Sequence, residues 1–245
     1  MSSVIDLLKA HRSIRKFTDQ SIDPALFEDL VKSGQAAATS SFLQGSTIVR
    51  VSDKEKRSEI AKLSGNQTYV ETAAEFMVFC ADLKRAGNYC AEYEMPFEGD
   101  FTEHFIIATV DVALMAQSMV TAAESVGLGI CYIGGIRNNP ALVCELLELP
   151  RGVYPVFGLC LGYPDQNPEV KPRLPVSVIM KQDVYNEDGD RQAITEYDSL
   201  IREYYRTRTG GGHGASWSEQ VSSLLSEKSR PHMKDFLAAQ GFKFR

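Results

Sequence analysis

An α+β fold is what this sequence predicts. Three observations carry that expectation. Strand-like and helical segments mix without strict βαβ alternation, residues 76–80 form a continuous apolar run, and residues 101–126 make one long segment that is apolar on most sides. The chain has 245 residues, 44% hydrophobic and 24% charged, enough for one large domain or two small ones. Residues 3–12 read as a short helix, with Ser3 and Asp6 spaced for a capping box. Asp23-Pro24 opens a second helix, with Leu26, Leu30 and Val31 on its apolar face. It ends in small residues at 36–41, followed by Phe42-Leu43-Gln44. Residues 47–51 read as a strand, Asp53 caps a helix to Leu63, and residues 65–67 form a turn. The run at 76–80 is a buried strand. Residues 84–100 contain Gly87, Pro96 and Gly99, show no clean period and read as a surface loop. Gly127 ends the long helix as a left-handed cap.

Residues 130–133 form a short strand before Gly134-Gly135, Asn139-Pro140 opens a helix to about Leu147, and residues 153–161 are the last strong strand. Prolines at 164, 168, 172 and 175 mark an extended, irregular crossing. Beyond Val176 the charge rises, and helices at about 194–207, 217–226 and 231–240 flank a glycine run at 210–214 that reads as flexible. The organisation expected is a core at 1–175 and an extension at 176–245, which wraps another surface and belongs to the same domain.

Composition excludes several functions. A formal charge of -6 argues against nonspecific nucleic-acid binding, which needs a broad basic face. The apolar stretch 106–123 is interrupted by Asp111 and Gln117, which points to a core helix and no membrane span. The N-terminus has no basic leader. Five cysteines without a CxxC pair fit reduced thiols in the cytoplasm. Four histidines, none in HExxH spacing, give little support for a zinc site, and no metal is expected. A dinucleotide turn fails because Gly127-Leu128-Gly129 runs from helix into strand and has Tyr132 at the third glycine position. No phosphate-binding GxxxxGK[ST] loop or GxSxG elbow is present, and Glu92, Glu94 and Glu98 read as solvated.

What stands out on this acidic background is His11-Arg12-Ser13-Ile14-Arg15, with three potential cations and a hydroxyl in five residues. Guanidinium forks and a hydroxyl match phosphate oxygens. Lys171-Pro172-Arg173 is a second basic segment, far away in sequence. A fold that brings the two together closes them on one phosphate from two sides. Phosphate binding without hydrolytic machinery implies a cofactor that brings its own chemistry.

The motifs HRSIRKFTD, ATSSFLQ, GNQTYV, AAESVGLGICYIGGIRN, FGLCLGYP and KPRLP occur in this order. With them the chain resembles the nitroreductase superfamily, in particular its group of oxygen-insensitive NADPH nitroreductases and NADPH–FMN oxidoreductases. The likeness covers essentially the whole chain. It implies a nitroreductase-like α+β fold: a central mixed, mostly antiparallel sheet flanked by helices, and a C-terminal extension wrapping the partner in a homodimer. It also implies FMN bound non-covalently at the dimer interface. By that resemblance His11, Arg12, Ser13 and Arg15 meet the phosphate and ribityl chain, and Lys171 and Arg173 close on the same end. Gln67 and Tyr69 lie near the flavin ring, and Tyr132, Ile133, Gly134 and Gly135 form the turn beside it. Ser40, Ser41, Phe42, Leu43 and Gln44 come from the partner subunit, with Ser41 also facing substrate. Arg208 meets the phosphate of the nicotinamide donor and Arg230 lies near the substrate. The loop at 209–215 offers one histidine and little fixed charge, so the donor is NADPH, NADH or both. The expected reaction passes a hydride from NAD(P)H to flavin N5 and then two electrons to nitroaromatics, quinones or flavins, by a ping-pong cycle without an obligatory protein acid or base. A reductase that releases reduced flavin, and a non-catalytic flavin-binding protein, are the alternatives.

Overall fold

The computed structural model describes residues 3–208, 214–227 and 229–245. Its contacts divide the chain into two compact units, residues 1–167 with 232–245, and residues 168–231. The sequence places its boundary later, at 175, and assigns the last residues to the extension; here residues 232–245 group with the first unit.

In the first unit, α1 (Val4–Lys9) starts at a Ser3/Asp6 capping box. It is shorter than the sequence predicts: Ala10 closes it, so residues 11–15 follow the helix. Asp23 caps α2 (Pro24–Gln35) by accepting from the Ala25 and Leu26 amides. Next come β1 (Ser46–Arg50), α3 (Lys54–Leu63) capped by Asp53, the single turn α4 (Tyr69–Thr72) and β2 (Glu75–Asp82). The expected loop at 84–100 begins instead with a helix, α5 (Lys84–Glu92). It has no polar N-cap residue, Gly87 breaks its pattern, and it carries no buried residue, so the usual sequence signals are missing. Then follow α6 (Thr102–Ser125), β3 (Gly129–Ile133), α7 (Pro140–Leu146) and β4 (Val153–Gly162). Gly127 has φ +84°, as a left-handed cap requires.

Among the described residues four strands run in the order β1-β2-β4-β3, and every pair is antiparallel, in line with the mostly antiparallel sheet expected. All eight β2 residues are buried, because the sheet is covered on both faces. Met77, Phe79 and Ala81 point into one core with α2 and the inner side of α6, while Phe76, Val78 and Cys80 point into a second core with α3, α4 and α7. Pro155 has no N–H to give the ladder, and the β2–β4 register slips there: Phe79 faces Phe157 and Cys80 faces Pro155, leaving Val156 bulged. α6 is long and apolar enough to cross a membrane, and eight of its residues are buried in this protein core. At the end of the chain α11 (Met233–Ala239) brings Leu237 and the following Phe242 into the first core.

The second unit consists of an irregular stretch from 168, the short α8 (Val176–Ile179), α9 (Asp190–Arg208) and α10 (Trp217–Ser226). Tyr197, Ile201 and Tyr204 form the buried stripe of α9. The predicted start of α9 is four residues late. Of the glycine run expected to be flexible, residues 210–213 lie outside the described residues.

Candidate flavin site

The segment after α1 is stitched to the sheet by its backbone. Ile14 N–H donates to Ile130 O at 2.8 Å, Thr18 N–H to Tyr163 O at 2.9 Å, and Asp165 N–H returns a bond to Lys16 O at 2.9 Å. Gly129 makes this docking possible. A Cβ there would lie 2.6 Å from the Ile14 side chain, so only glycine lets Ile14 bury itself against β3. Burying Ile14 leaves its neighbours Arg12, Ser13 and Arg15 at least partly exposed. His11 Nδ1 meets Glu124 Oε1 at 2.6 Å, which fixes the ring. Arg12 donates to Ala10 O at 3.1 Å and to Asn167 Oδ1 at 2.6 Å. These groups border an open cleft of about 690 Å³ that also includes Gly129, Asp165 and Gln166. Glu124 positions His11 and Asn167 positions Arg12 from 113 and 155 residues away, so no local motif could have disclosed them.

A second cluster surrounds the end of β3. Tyr132 packs edge-on against Phe157, with ring centroids 5.0 Å apart. Burial, with the Glu124 carboxylate adding to it, pushes the Tyr132 hydroxyl up to about 12. After Ile133 the chain enters a tight 3-10 turn, Gly134–Asn138. At Gly135 a Cβ would stand 2.3 Å from Ser64 O, so that glycine is required by the chain's own backbone. Gly134 is different: a Cβ there would first meet the tip of the Arg137 side chain, at 3.4 Å, and the residue is partly exposed. Arg137 braces the turn by donating to the carbonyl of bulged Val156, and His232 Nε2 bonds Arg137 O at 3.0 Å. Ser64 sits at the end of α3, and three residues on, Gln67 N–H bonds Ala61 O at 3.1 Å. Gln67 Oε1 is buried with no partner. Tyr69 opens α4 beside Arg15; burial raises its hydroxyl's pKa, and Arg15 offsets part of that rise.

Ser40–Phe42 form another single turn, in which Ser41 and Phe42 have φ of 50° and 57°. Leu43 follows in a right-handed conformation and Gln44 returns to φ 52°. Phe42 is 81% exposed. Among the described residues no core packing accounts for it.

In the second unit Lys171 Nζ donates to Tyr205 Oη at 2.6 Å and lies 5.0 Å from that ring's centroid. Arg173 donates to Lys171 O at 3.3 Å, and Tyr197 Oη donates to Pro172 O at 2.9 Å. Arg208 closes α9 and donates to Tyr204 Oη at 3.0 Å. Arg230 has a left-handed backbone, φ 49°. The two basic segments thus belong to different units. Among the described residues, none of Arg12, Arg15, Lys171 and Arg173 has a carboxylate partner, although the chain carries 32 acidic residues.

This chain belongs to the nitroreductase family. The family model matches residues 8–163, and the model of the family's C-terminal domain matches residues 171–245. The chain is 46% identical over 245 residues to the NADPH-flavin oxidoreductase of Vibrio harveyi, and 42% identical over 245 residues to the oxygen-insensitive NADPH nitroreductase of Salmonella typhimurium, with all of both chains covered in each case. Its fold is that of the NfrA1 nitroreductase from B. subtilis, at a TM-score of 0.95 and 43% identity, covering 98% of this chain and 99% of that one.

Proposed function

We propose that this chain is an FMN-dependent NAD(P)H oxidoreductase that acts as a homodimer on small electron acceptors: nitroaromatics, quinones and flavins. The observation that carries the reading is the clustering of Arg12 with Arg15 and of Lys171 with Arg173 in an acidic chain, all four without a carboxylate partner among the described residues. A phosphate suits their forked and point charges. The residues also fit the remainder of the cofactor. Gln67 Oε1 has an acceptor lone pair without a partner to offer a ring N–H, and partly exposed Gly134 has no side chain between its backbone and a flat group. When bound, FMN supplies the two-electron chemistry, taking a hydride from the nicotinamide and passing electrons to the acceptor.

The chain's own part is holding and tuning. His11, kept in orientation by Glu124, stands with Arg12, Ser13 and Arg15 at the phosphate and ribityl end. Lys171 and Arg173 serve the same end. Tyr69, Gln67, Tyr132, Ile133, Gly134 and Gly135 frame the ring. Residues 40–44 of the partner subunit complete the pocket, Arg208 takes the donor's phosphate and Arg230 and Ser41 face the substrate. An exposed row at i, i+4 and i+8 of α6, Ile106, Val110 and Leu114, each 45–49% exposed, suits the face of a second copy. Free thiols at all five cysteines fit a cytoplasmic protein. Release of reduced flavin as the product uses the same site, and acceptor kinetics separate the two modes.

The test is a visible spectrum of the purified protein under argon, before and after NADPH. Bound yellow flavin that bleaches on reduction is expected. A colourless protein that also fails to take up added FMN would contradict the reading.

A further inference from the structure

Residues 40–45 hold the least comfortable backbone in the first unit. Ser41, Phe42 and Gln44 all adopt φ between 50° and 57°, and none is glycine. Left-handed conformations cost ordinary L-residues about 1 kcal/mol or more each, so a segment with three of them persists only when its surroundings enforce it. The enforcement is visible. Asp111, in the middle of α6 and 1% exposed, accepts the Ser40 N–H on Oδ1 at 3.1 Å and the Gly45 N–H on Oδ2 at 3.2 Å. Its two oxygens bracket the segment from end to end. On the carbonyl side Arg85, in the first turn of α5, donates to Gln44 O at 3.4 Å, Ser46 O at 3.3 Å and Thr47 Oγ1 at 2.6 Å. Asp82 holds that guanidinium at 3.2 Å.

A carboxylate inside an apolar helix is costly unless charge-assisted hydrogen bonds compensate it. Both oxygens of Asp111 bond to the segment's backbone, so it supports that segment. Phe42, at the segment's apex, projects away from the chain that shapes it.

We propose that Asp111 is a positioning residue that acts in trans. Together with Arg85 it clamps residues 40–45 so that Ser41, Phe42 and Gln44 are presented in one fixed geometry to the flavin held by the other protomer. The inference rests on the reading of these residues as the partner's contribution to the flavin site. Each flavin pocket then joins one chain's basic segment to the other chain's clamp.

Asp111→Asn is nearly isosteric, but it turns one acceptor into a donor facing an N–H. The expected result is about tenfold weaker FMN affinity and altered visible circular dichroism of the bound flavin, at unchanged far-ultraviolet spectrum and dimer mass. The decisive arm co-expresses Asp111→Asn chains with Arg12→Ala chains. In the mixed dimer one pocket collects both defects and the other neither, so one tight FMN site per dimer returns. Mixed dimers without a tight site, or Asp111→Asn with wild-type FMN affinity and flavin spectrum, overturn the proposal. If Asp111→Asn does not fold, Arg85→Ala replaces it, its side chain being half exposed. Weaker FMN binding in that variant supports the clamp, and unchanged binding overturns it. A wild-type protein that takes up no FMN rejects the functional reading itself, an outcome distinct from all of these.

Discussion

The two basic segments present similar cations on opposite kinds of support. Residues 11–18 are held by backbone hydrogen bonds to β3 and to the end of β4, with Ile14 buried where Gly129 makes room. Residues 168–173 have no strand to lean on. They are held by tyrosines of one helix: Tyr197 on Pro172 O, Tyr204 on Glu169 O at 3.5 Å, and Tyr205 on Lys171. The first arrangement ties cation placement to the stability of a two-sided core. The second ties it to a few hydroxyls, each worth about 1 kcal/mol. Damage to the core should therefore remove the first segment with the fold, whereas damage to the hydroxyls should loosen the second and spare the fold.

Alkaline titration gives the largest expected effect and acts on the core side. Burial pushes the Cys144 thiol and the Tyr132 hydroxyl each up to about 12, and raises Cys131 and Cys160 as well. Raised folded-state values mean that the stability these groups contribute is intact below their unfolded values, near 8.5 for thiols, and is lost as pH climbs towards 12. Each such group removes about 1.4 kcal/mol per pH unit across its window. Melting temperature should therefore fall steeply above about pH 9. A flat profile to pH 11 would show that these groups are not protected. Gly129→Ala comes next. Its Cβ collides with Ile14, and a stability loss of about 3 kcal/mol is expected in denaturant titration, with flavin lost alongside. Arg208→Ala should raise KM for the nicotinamide donor about tenfold, or about 1.4 kcal/mol, and leave FMN content unchanged. The smallest effect belongs to Tyr197→Phe, which removes one half-buried hydroxyl bond. FMN affinity should weaken by about 1 kcal/mol with the melting temperature of the core unchanged. A large melting shift would erase the contrast between the two supports.

Much of this was legible in the sequence. The apolar run at 76–80 and the capped helices after Asp23 and Asp53 are local signals, and they fall where expected. The short α1 depended on a terminus that local pattern sets poorly, and α5 escaped because it lacks both a polar N-cap and a buried stripe. The basic segments stand out chemically, yet their supports are not local. Glu124, Asn167, Arg137 and Asp111 each act on residues far away in sequence or on a neighbouring strand's bulge. In the sequence Asp111 is only a charge interrupting an apolar stretch. Its purpose emerges when the Ser40 and Gly45 amides are seen to converge on it.

Under the proposed function, Arg12 and Lys171 each serve the phosphate of FMN. This claim is tested most directly by measuring FMN and riboflavin affinities for the wild type, Arg12→Ala, Lys171→Ala and the double variant. Each single change should cost on the order of 2 kcal/mol of FMN affinity, over tenfold, and leave riboflavin, which has no phosphate, unaffected. Wild-type FMN affinity in both single variants would contradict the account.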